Sequence, residues 1–104
     1  MGQWQQLSVT AAKLQAREQA QKTVDDCQAA IQLQLALLES LQLALSGLLQ
    51  AEAMLQQVLQ TASDATVAAE LKKIQNEIAI VRAQIKALER SIQDLQRQMA
   101  ASSR

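Results

Sequence analysis

From Val67 to Met99 the chain places an aliphatic residue at every third or fourth position: Val67, Leu71, Ile74, Ile78, Val81, Ile85, Leu88, Ile92, Leu95 and Met99. The spacing alternates four and three without a miss, the seven-residue repeat of a helix that keeps one apolar seam against a neighbour. A polar helix with one such seam is not stable alone in water, so another helix must cover it. A second seam runs through Val24, Cys27, Ile31, Gln34, Leu38, Leu41, Leu45, Leu48, Glu52, Leu55 and Leu59. It keeps the same repeat but contains Gln34 and Glu52. Polar residues at such positions cost stability and fix register or partner number, so these two are the expected specificity determinants.

Between the seams, residues 61–66 supply several cap-forming side chains in Thr61, Ser63, Asp64 and Thr66, the strongest turn signal in the chain. If the chain reverses near residues 62–64, antiparallel partners carry numbers that sum to about 126. The seams then match: Leu59 with Val67, Leu55 with Leu71, Leu48 with Ile78, Leu45 with Val81, Leu41 with Ile85, Leu38 with Leu88, Ile31 with Leu95, and Cys27 with Met99. The match predicts an αα-hairpin with arms of roughly 37 residues, about 55 Å at 1.5 Å per residue. Gly47 is the rival break. A glycine inside a helix costs only about 1 kcal/mol against alanine and the periodicity continues on both sides, so the helix is expected to run through it.

The first 22 residues are rich in glutamine and weakly amphipathic, with Trp4, Leu7, Ala11 and Leu14 on one side. Trp4 is expected to pin this segment to the bundle. Thr23, followed by Asp25 and Asp26, resembles a helix start, yet no glycine or proline forces a break there. Two organisations stay open: helices over about 4–22 and 24–60, or one continuous helix, in either case with a further helix over about 66–100. The expected fold is all-α and a single domain over 1–104: a long antiparallel helical hairpin with an additional N-terminal helical segment, in a three-helix or coiled-coil-like bundle, and oligomeric.

A hairpin seam does not use all of the leucine. Nine leucines fall among the 17 residues from Leu33 to Leu49, whereas a seam against one neighbour needs about two apolar residues in seven. A helix apolar over most of its circumference is covered by more than one partner. Leu33, Leu35, Leu37, Leu43 and Leu49 form the candidate interaction face. The stripes traced on the sequence run through Ile31, Leu35, Leu38, Leu45 and Leu49, and through Leu33, Leu37, Leu41, Ala44, Leu48, Ala51 and Leu55.

Composition narrows the function. Alanine, leucine and glutamine fill more than half of the chain and proline is absent, which favours helix and disfavours sheet. Ten basic and ten acidic residues cancel, removing the general attraction that an excess of Lys and Arg gives for nucleic acid or anionic membrane. Arg82, Lys86, Arg90 and Arg97 share one side of the last helix, but Glu89 and Asp94 lie among them as mixed-charge pairs. The first 15 residues lack the apolar run of a signal peptide. The apolar stretch 31–49 approaches a bilayer span in length, but Gln32, Gln34, Glu39, Ser40, Gln42 and Ser46 argue against a lipid-facing helix. One cysteine permits no intrachain disulfide and suits a reducing, cytoplasmic setting.

The chain has no His and no Tyr, so Cys27 lacks an imidazole partner, and no catalytic, cofactor or metal site is expected. The residues point to a non-enzymatic helical interaction or assembly protein that packs with itself or with a helical partner protein. The alternative is a small cytosolic chaperone or adaptor that shields an amphipathic helix of a client, as secretion-system chaperones do.

Overall fold

The computed structural model describes residues 2–103, with side chains from Leu7 onward; the expected role of Trp4 therefore lies outside the described residues. Two helices, α1 (Gly2–Thr61) and α2 (Ala65–Ser102), pack against each other as an all-α hairpin. Of the two organisations left open by the sequence, the structure has the single continuous helix, α1 running through residue 22. The Thr23 hydroxyl, which resembled a cap, instead donates to the Gln19 carbonyl at 3.0 Å. Thr and Ser bond back to the carbonyl four residues earlier in mid-helix as readily as they cap a helix start. Gln21 also donates to Asp25 at 3.0 Å, tying two turns of the same helix together. Gly47 sits inside α1 without interrupting it.

Reversal takes only Ala62, Ser63 and Asp64. The Ala62 amide donates to the Val58 carbonyl at 2.9 Å, closing the last turn of α1. Asp64 then starts α2 twice over: its carbonyl accepts from the Ala68 amide at 3.0 Å, and its carboxylate accepts from the Thr66 amide at 2.8 Å. This is N-cap chemistry, which satisfies donors that the first helical turn leaves unpaired. No described residue has a positive φ, so the turn needs no glycine.

Contacts divide the chain into two compact units. One, Gln34–Ser91, contains the turn; the other joins Met1–Leu33 to Ile92–Arg104. Within the first, Leu38, Leu41, Leu45, Leu48, Leu55 and Leu59 are half-buried, as are Val67, Leu71, Ile74, Val81, Ile85 and Leu88, while Ile78 is buried. Leu37 and Leu41 of α1 line one groove with Gln84, Ala87 and Leu88 of α2. Within the second, Cys27 and Ile92 are buried, Val24, Ile31, Leu95 and Met99 half-buried. There the Cys27 thiol lies 3.7 Å from Gln98 Oε1, and Val24 lines a cleft with Ser102 and Ser103. Cys27 and Gln98, the two residues in contact across the arms of this unit, sum to 125. The register is that of a fold point at residues 62–64.

Candidate interaction surface

Burial follows the three-four repeat on both helices, and the repeat decides which leucines remain outside. α1 is the less one-sided of the two helices. In the turn-containing unit, Leu35, Leu37, Leu43 and Leu49 are exposed, Leu43 at 70% and Leu49 at 37%. In the other unit Leu33 is 73% exposed. Thus all five residues of the candidate face lie outside the hairpin seam. The eight seam residues Leu71, Ile74, Ile78, Val81, Ile85, Leu88, Ile92 and Leu95 are all half-buried or buried.

Gln34 and Glu52 are both half-buried. Gln34 Oε1 is buried without a hydrogen-bond partner, an arrangement that costs the desolvation of the amide oxygen with nothing in return. No polar residue is buried outright among the described residues. The ion pairs Glu70 with Lys73 at 3.8 Å and Asp94 with Arg97 at 3.7 Å are both exposed and three residues apart. Pairs of this kind contribute little to stability. The basic side of α2 is accordingly a solvated, mixed-charge face.

The two leucine stripes traced on the sequence divide differently in the structure. Leu41, Leu48 and Leu55 turn into the seam, whereas Leu37 and Ala44 stay exposed and Ala51 is half-buried. Met54 and Val58 are also exposed. The result is a second three-four stripe on the outside of α1 in this unit: Leu37, Ser40, Ala44, Gly47, Ala51, Met54 and Val58. Met54 and Val58 lie beyond the leucine-dense segment of residues 33–49. The groove lined by Leu37, Leu41, Gln84, Ala87 and Leu88, about 510 Å³, runs beside it. Ile80, on the outer side of α2, is a further exposed aliphatic residue.

On the N-terminal side, every residue from 7 to 19 is exposed, Leu7, Val9 and Leu14 included. By length and composition, one stretch of α1 is apolar enough to cross a membrane, and none of that 18-residue window is buried. Among the described residues, no three His, Cys, Asp or Glu side chains are grouped to hold a metal ion. The chain matches no protein family, no curated protein and no solved structure.

Proposed function

We propose that the chain is a non-enzymatic, cytoplasmic assembly protein whose α-hairpin associates through the leucine-bearing outer face of α1 with a second copy or with a helical partner protein. The observation that carries this reading is the small amount of surface the fold removes from water. The chain exposes 8241 Å², whereas a folded monomer of 11.4 kDa exposes about 5,800 Å². It buries about half of what its unfolded chain would expose, below the roughly 60% typical even of small domains. Among the described residues, Cys27, Ile78 and Ile92 make up the buried core.

Association would supply the missing burial. Light scattering across a dilution series of the purified protein tests it: a mass above 11.4 kDa that falls on dilution is expected. A monomer at every concentration refutes self-assembly. The adaptor reading draws support from the apolar groove beside Leu37 and Leu41, which has the character of a seat for one amphipathic client helix. An adaptor would exchange self-association for its client, so added amphipathic peptide would lower the homo-oligomer mass. A structural subunit would keep it.

A further inference from the structure

Among the described residues, one buried side-chain polar atom lacks a hydrogen-bond partner: Oε1 of Gln34, on the seam of α1. An acceptor taken out of water with nothing in exchange destabilises a fold. A donor within reach of it would therefore change what Gln34 does.

Register identifies that donor. Cys27 of α1 meets Gln98 of α2 at 3.7 Å, a pair whose numbers sum to 125. Seven residues along a packed helix return to the same face, and one such step along each arm leads from Cys27 to Gln34 and from Gln98 to Ser91. Gln34 and Ser91 thus stand level, with the same sum, and both belong to the turn-containing unit. Ser91 is half-buried, whereas Gln84 and Gln98, seven residues to either side of it, are exposed. Its hydroxyl is also uncommitted. A serine in mid-helix commonly donates to the carbonyl four residues earlier, as Ser40 does to Ala36 at 3.2 Å and Ser103 to Met99 at 2.8 Å. Ser91 makes no hydrogen bond of this kind. A free donor on α2 therefore lies level with an acceptor on α1 that has none.

We propose that the Ser91 hydroxyl donates to Gln34 Oε1 across the arms, reached by rotation of the serine about χ1, and that this polar pair locks the register of the hairpin. Aliphatic contacts are non-directional, so the leucines and isoleucines of the two seams do not by themselves select one alignment. A hydrogen bond is met only at the alignment that brings its two groups together. Polar residues on such a seam specify alignment at a cost in stability. Leucine at position 34 is accordingly the more stable and less specific choice, and Ser91 becomes a register determinant together with Gln34.

A double-mutant cycle on the full chain tests the bond, using Ser91→Ala, Gln34→Leu and the two combined, with urea unfolding followed by circular dichroism at one protein concentration. Neither change removes a buried apolar group and both bring in strong helix formers, so all the variants retain the hairpin. Without the bond, Ser91→Ala raises the midpoint in both backgrounds, since alanine is the better helix former. With it, the effect changes sign: Ser91→Ala lowers the midpoint when Gln34 is present and raises it in the Gln34→Leu background. The coupling should be about fivefold in the unfolding equilibrium constant, the size of one hydrogen bond, and Ser91→Thr, which keeps the hydroxyl, should preserve it. Shifts of the same sign and size in both backgrounds would overturn the pair.

Discussion

Ile78 and Ile80 lie two residues apart on α2 and meet opposite fates: Ile78 is 5% exposed and Ile80 is 58% exposed. Replacing each with alanine therefore applies one chemical change to two environments on one helix. Both substitutions gain a few tenths of a kcal/mol of helix propensity. At Ile78 the change also removes three buried carbons, about 2.4 kcal/mol at 0.8 kcal/mol each, plus a cavity term that raises buried Ile→Ala losses towards the upper part of 2–5 kcal/mol. The neighbours Ile74, Val81 and Ile85 are only half-buried, so water enters part of the space and the cavity term stays small. The expected loss is about 2–3 kcal/mol for Ile78→Ala, and between zero and a gain of about 0.5 kcal/mol for Ile80→Ala. Urea unfolding followed by circular dichroism at one fixed protein concentration measures both, the concentration being held because association adds to apparent stability. Equal losses, or a larger loss at Ile80, would refute the assignment of the α2 seam.

Replacing Gln34 with Leu removes the unpartnered buried oxygen and should raise the urea midpoint by an amount equivalent to about 1–3 kcal/mol; a lower midpoint would show that the amide is satisfied in the assembled protein. Asp64→Ala deletes the carboxylate that accepts from Thr66 and should cost about 1 kcal/mol, with Asp64→Ser losing less than half of that in the same melt. Cysteines at Leu48 and Ile78, with Cys27→Ser, should crosslink within one chain on oxidation; crosslinks found only between chains would mean that the arms exchange partners. Despite the apolar window in α1, vesicle flotation should leave the protein in solution, since Gln32, Glu39, Ser40, Gln42 and Ser46 interrupt the leucines; co-flotation with neutral lipid would replace assembly with membrane binding.

The hairpin was legible because two independent signals agree. The seams fix which residues face inward, and the cap-forming segment fixes where the chain turns; together they set a register that the contact of Cys27 with Gln98 displays. The continuity of α1 was not decidable from residues alone. Thr23 with two aspartates nearby has the chemistry of a helix start, and the same hydroxyl bonded to the Gln19 carbonyl is equally at home in mid-helix. The outer stripe was only half visible. Leu37, Ala44 and Ala51 share a sequence spacing with Leu41, Leu48 and Leu55, and separating the groups requires knowing which side the partner helix takes.

The seam of α1 ends where its cover ends, and this bounds what the hairpin itself explains. Val24 lines a cleft with Ser102 and Ser103 at the end of α2, and the three-four register continues towards the N-terminus through Ala20, Arg17, Lys13 and Thr10. Ala20 is half-buried and the next three are exposed. The pattern turns polar over the same residues that α2 no longer covers, so sequence and packing stop together. Beyond that point α1 is sustained by propensity: Ala, Gln, Lys, Arg and Glu dominate residues 11–22, and extending a packed helix avoids the costly nucleation that an isolated one faces. Glu18 and Lys22 add a favourably ordered pair four residues apart. The apolar residues of this segment, Leu7, Ala11 and Leu14, fall off the seam register. A partner that covered them would thus approach α1 from a different side than α2 does, and lengthening α2 would not serve in its place.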